Sequence, residues 1–249
     1  AAIHAEALKA CMHARLTAVA SPTPGNAAAF AQRHGIPHAF TDYRQLLARP
    51  DIQMVVIGVP NHLHCQVVLD AAAAGKHVVI EKPLCLNLAE ADRMIAACRE
   101  HKVKLMYAEE LCFAPKYVRL KQLLDSGALG RPTLLKQSEK HDGPHAAHFW
   151  DVTRSGGGVA MDMGCHAIEF FRWMLGRPSI KSVYAQMNTS VHGEKTRGDD
   201  NAILILEFVG GVVGMAEVSW TKLGGMDDRA EVYGTGGVAY ADLLRGNAI

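Results

Sequence analysis

The feature that most constrains the fold is a short apolar strand at residues 77–80 that runs directly into Glu81, Lys82 and Pro83. Its Val-Val-Ile core is typical of a strand buried on both faces of a parallel sheet. The strand must end at Pro83, because proline has no N–H to donate to a neighbouring strand. Glu81 and Lys82 therefore lie at the carboxyl end of a buried strand, where open α/β sheets bind ligands. The alternative is that both are ordinary solvated side chains in a loop.

Strands and helices alternate through the rest of the first 110 residues. The patterns predict strands at residues 16–20, 38–40, 54–57, 77–80 and 105–108, with helices at residues 1–12, 26–34, 41–47, 62–74 and 87–101. Such alternation indicates β-α-β units with a parallel sheet and right-handed crossovers. We therefore expect an α/β domain at residues 1–110.

The loops after these strands are expected to line a nucleotide crevice, at residues 21–24, 60–64, 81–83 and 109–110. A Rossmann domain also needs a first strand and a G-x-G-x-x-G turn for the pyrophosphate. This chain begins inside the helix that would follow, so we expect the amino end to be missing. The hydroxyls of Ser21 and Thr23 could accept a 2′-phosphate, but no Arg stands beside them. The choice between NAD and NADP stays open.

The pattern changes over residues 111–249, where a helix at 115–124 and a helix at 159–175 accompany a series of strands. The strands are predicted at residues 133–138, 180–189, 202–209, 212–220, 229–234 and 238–243. Strands that follow one another without helices favour an α+β domain with an open, mostly antiparallel sheet. The chain stops just after a strand, so we expect this domain to be incomplete at its carboxyl end.

The second half also carries the groups best suited to acid–base chemistry. Asp162 and His166 are four residues apart on the predicted helix 159–175, so a carboxylate could orient an imidazole. The alternative is a surface pair worth a few tenths of a kcal/mol. Three glycines at residues 156–158 would let backbone approach a ligand closely. In the preceding loop, His145, His148 and Trp150 could bind sugar hydroxyls or simply pack.

Composition excludes several other classes of protein. The chain has 26 Lys and Arg against 25 Asp and Glu, and this net charge of +1 attracts neither nucleic acid nor membrane. The apolar runs are too short for a membrane span. The six cysteines lie singly, with no C-x-x-C, which favours reduced thiols in a cytoplasmic protein. The histidines and cysteines lack the spacing of metal ligands, so no metal is expected.

Together, three motifs resemble the Gfo/Idh/MocA oxidoreductases: Glu81-Lys82-Pro83, the 60–64 segment P-N-H-L-H, and the triple glycine with Asp162 and His166. The resemblance covers essentially the whole chain. It implies an NAD(P)-dependent sugar or cyclitol dehydrogenase with a Rossmann domain and a second domain whose open sheet forms oligomer contacts. The residues that match the family's functional positions are Lys82, Asp162 and His166 for catalysis, and Pro60, Asn61, His64, Glu81, Lys82 and Pro83 for the cofactor.

The hypothesis that follows is hydride transfer between a secondary alcohol of a sugar, glycoside or cyclitol and NAD or NADP. His166, held in one tautomer by Asp162, would take the alcohol proton, while Lys82 would stabilise the alkoxide. This requires the Lys82 amine and the His166 imidazole to converge on one carbinol. A redox-neutral hydrolase or epimerase that retains its NAD, and a non-catalytic dinucleotide sensor or scaffold, are the alternatives. The particular substrate and the oligomer number cannot be read from the sequence.

Overall fold

The structure is a computed structural model that describes residues 1–245. The chain divides into two compact units, Ala1–Ala108 and the part that begins at Glu109. In the first unit, five strands alternate with five helices. The strands are β1 Ala18–Ala20, β2 His38–Phe40, β3 Met54–Ile57, β4 His77–Glu81 and β5 Leu105–Ala108, and the helices are α1 Ala2–Ala10, α2 Asn26–His34, α3 Tyr43–Leu47, α4 Asn61–Ala73 and α5 Leu88–Glu100.

All strand pairs of the first unit are parallel, as the alternation predicts. Strand β4 lies between β3 and β5, and β1 pairs with β2 in a separate ladder. The side chain of Ile80 is fully buried, and Val78 is almost as inaccessible. They pack in one core with the apolar faces of α4 and α5, including Val68 and Met94. Burial of a side chain such as Ile80 contributes about 1.5–3 kcal/mol to stability. The strand therefore needs consecutive apolar residues, and that run is what makes it predictable from sequence.

The second unit is a mixed six-stranded sheet with helices on one face. Its strands are β6 Pro132–Lys140, β7 Ile180–Asn188, β8 Asn201–Phe208, β9 Val213–Ser219, β10 Asp227–Gly234 and β11 Gly237–Asp242, and its helices are α6 Pro115–Asp125, α7 Val152–Ser155, α8 Val159–Asp162 and α9 Gly164–Met174. The spatial order is β11-β10-β6-β9-β8-β7, with β6 and β9 parallel and the other neighbours antiparallel. The expected open, mostly antiparallel sheet is therefore confirmed.

Helix α9 packs against the inner face of this sheet. Phe170 and Phe171 are fully buried in the same core as Trp220. Gly214 of β9 admits the ring of Phe171, since a Cβ at this position would lie 2.6 Å from the ring. The outer face and the edge strand β7 remain exposed, and Val183, Tyr184 and Met187 are each more than half accessible. This unit therefore has one covered face and one open face.

The predicted single helix at residues 159–175 is wrong, because α8 and α9 are separated at Met163. The His166 N–H donates to Met163 O at 3.0 Å, one residue short of the contact that a continuous α-helix makes. The Asp162 carbonyl instead accepts from the Cys165 thiol at 3.3 Å. Asp162 therefore ends α8, and His166 lies in the first turn of α9. The predicted loop at 140–155 is also partly helical, with a 3₁₀ turn at Ala147–Trp150 followed by α7.

The connection between β7 and β8 is held by one buried carboxylate. Asp200 is fully inaccessible and accepts the N–H groups of Ser190, Val191 and His192, each at 2.8 Å. Burial by itself raises the pKa of this carboxyl, but the three N–H groups together outweigh it and leave the pKa below its usual range. The ionised form of Asp200 is therefore the form that stabilises the fold. Within residues 1–245, no helix is long and apolar enough to cross a bilayer.

We predict that Asp200→Asn lowers the free energy of unfolding at pH 7 by about 2–3 kcal/mol, because the amide keeps only one acceptor oxygen and turns its NH2 group towards at least one buried N–H donor. A lowered pKa in the folded state adds stability above about pH 4 that disappears as the pH falls through that pKa. The difference between the two proteins should therefore narrow below about pH 4. Denaturant unfolding at several pH values tests this, with the exposed Asp92→Asn as control. If the difference in unfolding free energy between wild type and Asp200→Asn stayed constant down to pH 2.5, the stabilising role of ionised Asp200 would be contradicted.

Candidate active site

In the first unit, the loops after β3 and β4 are joined by the buried ring of His64. Its Nε2 lies 2.8 Å from Val59 O and its Nδ1 lies 3.0 Å from Pro83 O. Burial lowers the pKa of His64 despite these carbonyl neighbours, so the neutral ring donates to one of them. His64 is only 1% exposed. It therefore braces the two loops that were predicted to face the cofactor.

Glu81, at the end of β4, is engaged within its own unit. Its carboxylate lies 2.5 Å from His4 Nε2 on α1 and accepts the Lys82 N–H at 3.1 Å. The following Lys82–Pro83 peptide bond is cis, and Pro83 is buried while Lys82 is partly accessible. The predicted motif thus forms a tight turn whose acidic member holds α1 to the end of β4.

The carboxyl edge of the first unit has polar groups that fit a dinucleotide. Ser21 and Thr23 follow β1, and Asn61 begins α4 after Pro60, which offers the helix no side-chain cap. His62, in the first turn of α4, has a buried Nδ1 without a hydrogen-bond partner among the described residues. Uncapped helix N–H groups suit electronegative atoms of a ligand. The hydroxyls of Ser21 and Thr23, the amide of Asn61 and the buried nitrogen of His62 are groups that can hydrogen-bond ribose and nicotinamide.

In the second unit, His166 is held by a carboxylate from the segment that follows β5. Its Nδ1 lies 2.7 Å and 2.8 Å from the two carboxylate oxygens of Glu109. His166 is 1% exposed and Glu109 is 4% exposed. Glu109 Oε1 also accepts the Leu111 N–H at 3.2 Å. On the other side of the ring, Nε2 lies 3.9 Å from Oε1 of the exposed Glu110. An imidazole so placed is suited to proton transfer through Nε2.

Asp162 is also buried and accepts a hydrogen bond from an aromatic donor. Its Oδ2 accepts the indole N–H of Trp220 at 3.2 Å, and only 2% of the residue is exposed. The prediction that Asp162 orients His166 remains a prediction. We call Glu109, Asp162 and His166 the acid–base cluster. Asp162 and His166 are not a solvated surface pair, since both are almost completely buried.

The triple glycine serves close packing inside the second unit. A Cβ at Gly158 would lie 2.1 Å from Asp199 O, so only glycine fits there. Asp199 also caps α8, because its carbonyl accepts the Val159 N–H at 2.8 Å and its carboxylate accepts the Ala160 N–H at 2.7 Å. The prediction that these glycines let backbone approach a ligand stays a prediction. At Gly158, the neighbour that approaches the backbone is the chain itself.

A second buried acid lies at the start of β10. Asp228 accepts from the Tyr117 hydroxyl at 2.6 Å and is 4% exposed. Burial raises the pKa of Asp228, while the Tyr117 hydroxyl acts in the opposite direction, as does His166 when its ring is protonated. The acid–base cluster thus lies in a polar part of the core that extends onto β10.

The three residues predicted to bind substrate lie in the segment before α7. His145 stacks on His141 with ring centroids 4.2 Å apart, and His148 lies 4.5 Å from the ring of Phe149. Trp150 contacts Trp220 edge to face, and the Lys195 amine lies 5.2 Å from its ring centre. Trp150 also borders a groove of about 840 Å³ with the β7–β8 connection. Within this unit, Trp150 therefore borders the groove and also contacts Trp220, whose indole N–H donates to Asp162.

Among the described residues, Glu109, Cys165 and His166 are placed so that they could hold a metal ion, with ligand atoms within 4.8 Å of one another. The direct contact between Nδ1 and Glu109 competes with this use. While Nδ1 carries a proton towards the carboxylate, it has no lone pair for a metal.

Comparison with known proteins agrees with this arrangement. Residues 1–109 match the oxidoreductase family with the NAD-binding Rossmann fold, and residues 117–240 match the GFO/IDH/MocA C-terminal domain. The chain therefore belongs to the Gfo/Idh/MocA family and is an NAD-dependent oxidoreductase of that family. This confirms the predicted family, the fold class and a nicotinamide cofactor.

Individual relatives cover nearly all of this chain. It is 31% identical to myo-inositol 2-dehydrogenase of Thermotoga maritima over 245 residues, which is 98% of this chain and 72% of the relative. The structure of GenD2 from gentamicin A biosynthesis, in complex with NAD, has a TM-score of 0.92 and 33% identity, and covers 99% of this chain and 70% of GenD2. Levoglucosan dehydrogenase with NADH and L-sorbose has a TM-score of 0.84 and 26% identity, covering 92% of this chain and 64% of that structure.

Sequence reasoning placed Glu109 in a loop at the crevice but missed its contact with His166. It also missed Trp220, Asp228 and the capping role of Asp199. The Glu109–His166 pair spans 57 residues and the Trp220–Asp162 pair spans 58. No local spacing connects such partners. The only available signal was that Glu109 follows the last parallel strand.

We predict that Gly158→Ala destabilises the protein by about 3 kcal/mol, because the added methyl group overlaps the backbone of Asp199. Gly193→Ala is the matched control, since a Cβ there meets nothing within 4 Å and its φ is not in the left-handed region. The control should change the free energy of unfolding by less than about 0.5 kcal/mol. Denaturant unfolding measures both values. Equal stabilities for the two variants would show that Asp199 does not pack on Gly158 as described.

Proposed function

We propose that this enzyme transfers hydride from a secondary alcohol carbon of a cyclic polyol, either a sugar, a glycoside or a cyclitol, to NAD. The observation that carries the proposal is the acid–base cluster, in which His166 and Asp162 are buried to 98% or more beside the apolar core of the second unit. Buried ionisable groups are costly unless they are paired, and they concentrate at functional sites. In a family of nicotinamide-dependent oxidoreductases, a buried imidazole suits the removal of an alcohol proton.

The proposed roles follow from the chemistry of alcohol oxidation. Bound NAD supplies the hydride acceptor, so the protein must remove one proton from the alcohol oxygen. Nε2 of His166 accepts that proton, and the Lys82 ammonium stabilises the negative charge that develops on the oxygen and can relay the proton. Asp162 favours the charged form of His166. This proposal requires Lys82 and His166 to meet at the same hydroxyl.

Cofactor binding is assigned to the carboxyl edge of the first unit. The residues proposed to contact NAD are Ser21, Thr23, Pro60, Asn61, Glu81, Lys82 and Pro83, with His64 supporting the two loops from inside. The NAD and NADH named in the structures of GenD2 and levoglucosan dehydrogenase favour NAD over NADP. The absence of a basic residue from positions 21–24 agrees with this choice.

The substrate class rests on the relatives and on the aromatic segment of the second unit. One relative is named for myo-inositol, and a structural neighbour was solved with L-sorbose, so both act on or bind polyhydroxylated molecules. His145, His148 and Trp150 supply ring nitrogens and an aromatic face, the groups that proteins use to bind sugars. The groove beside Trp150 adds the hydroxyls of Thr153, Thr189 and Ser190.

Two further properties complete the proposal. The exposed apolar residues of the open sheet face favour a homo-oligomer formed through that face, since large exposed apolar patches mark interaction sites. The six cysteines are all free thiols, which supports a cytoplasmic location.

We predict that His166→Ala lowers kcat by about 10²–10⁴-fold, because it removes the proton acceptor, while the affinity for NAD stays within about threefold. The measurement begins with a panel of sugars, cyclitols and glycosides against NAD and NADP with the full-length protein. Formation of reduced nicotinamide is followed by absorbance, and NAD affinity by fluorescence titration. The exposed His101→Ala is the matched control and should retain wild-type turnover.

Each outcome distinguishes the functions considered. Wild-type turnover by His166→Ala would refute the proposed base. Substrate conversion without net NADH, by protein that retains NAD after purification, would identify redox-neutral hydrolysis or epimerisation. Binding of NAD without conversion of any compound in the panel would favour a sensor or scaffold.

We also predict that Ser21→Asp raises the preference for NAD over NADP at least tenfold in kcat/KM. A carboxylate at the end of β1 can accept the ribose 2′-hydroxyl and repels a 2′-phosphate. The neutral Ser21→Asn is the matched control, because it has the size of Asp without its charge, and its preference should stay within about threefold of wild type. Steady-state kinetics with both cofactors measures the ratio. An unchanged ratio in Ser21→Asp would place the adenosine ribose away from Ser21.

A further inference from the structure

The contacts around His166 assign different roles to its two nitrogens. Nδ1 faces both carboxylate oxygens of Glu109, at 2.7 Å and 2.8 Å, inside the core. Nε2 lies on the side of Glu110, whose side chain is 62% exposed. Glu109 is itself fixed, because its carboxylate accepts the Leu111 N–H. The imidazole therefore has one side tied to the core and the other towards an accessible carboxylate.

An ionised carboxylate has lone pairs and no proton, so it can only accept a hydrogen bond. With Glu109 ionised, Nδ1 must carry the proton of the neutral ring. The lone pair then resides on Nε2, the atom that can act as a base. We infer that Glu109 is the positioning residue that fixes the Nδ1–H tautomer of His166. This inference rests on the proposed function, in which His166 accepts the alcohol proton.

The charge of Glu109 adds a second effect. When Nε2 accepts a proton, the ring becomes an imidazolium, and a buried carboxylate within 2.8 Å stabilises that charge strongly because solvent does not screen it. The neighbouring Cys112 responds to the same charge. Burial, followed by the negative charge of Glu109, raises the pKa of its thiol to about 12. Glu109 therefore provides both the tautomer and part of the electrostatic stabilisation.

The alternative is that the Glu109–His166 pair is purely structural and only holds the segment after β5 against α9. Two substitutions separate these roles. Glu109→Gln retains an oxygen that accepts the Nδ1 proton and removes the charge, whereas Glu109→Leu removes both. A structural role would change stability in either variant without selecting a tautomer. The exposed Glu100→Leu, at the end of α5, is the matched control for loss of an acidic side chain.

The first measurement is the tautomer of His166 by ¹⁵N NMR in protein labelled at histidine, without substrate, with the His166 signals assigned by their absence from His166→Ala. We expect the proton on Nδ1 in wild type and in Glu109→Gln, and a shift towards the Nε2–H tautomer in Glu109→Leu. A wild-type ring protonated on Nε2, or an unchanged tautomer in Glu109→Leu, would overturn the inference. If Glu109→Leu does not fold, the wild-type spectrum and Glu109→Gln still decide it.

The second measurement is turnover with the best alcohol of the substrate panel. We expect kcat to fall about 10-fold in Glu109→Gln and at least 100-fold in Glu109→Leu, with KM within about threefold of wild type in both. Glu100→Leu should match wild type. If Glu109→Leu keeps full kcat while His166→Ala is inactive, the positioning role of Glu109 is refuted and the role of His166 as the base is retained. Full kcat in His166→Ala would refute the proposed base, whatever the tautomer.

Discussion

The contact between the buried carboxylate of Glu109 and Nδ1 of His166 is the interaction that allows these two ionisable groups to be buried in the second unit. Two ionisable groups inside an apolar core cost several kcal/mol each unless each finds a partner there. The core around them is formed by side chains such as Met163, Ala167 and Phe170, which are fully buried. The two short Nδ1–carboxylate distances and the Leu111 N–H offset that cost. They also determine which ring nitrogen of His166 faces the Glu109 carboxylate.

Other carboxylates of this unit also accept hydrogen bonds from N–H groups. Asp199 caps α8 with its carboxylate and its carbonyl, and Asp200 collects three N–H groups of the β7–β8 connection. Asp162 is held in turn by the Trp220 indole. These acids therefore accept hydrogen bonds from backbone or indole N–H groups, and Asp199 and Asp200 each hold a loop or helix end in place. This explains how a domain with few long helices holds the acid–base cluster rigidly.

Much of the fold could be predicted because its signals are local. The parallel strands β3 and β4 are short runs of β-branched residues that end at Gly or Pro, and the helices between them have clear apolar faces. Asn87 accepts the Glu90 N–H as a helix cap, as its residue type favours. The helix over residues 159–175 was predicted as one element for the same reason, since its composition is helical throughout. Its break at Met163, where the His166 N–H bonds to the Met163 carbonyl, has no signal in the composition.

The sequence by itself determined the family, the order of the elements and the identity of the chemical groups, because these follow from motifs and periodicities within a few residues. Lys82, Asp162 and His166 were predicted as catalytic residues in this way. Only the tertiary structure decided which partners these groups have. It brought Glu109 to His166, Trp220 to Asp162 and Asp199 to Gly158. Such pairs depend on how a sheet and its helices pack, and a hydrogen bond across nearly 60 residues leaves no trace in local spacing.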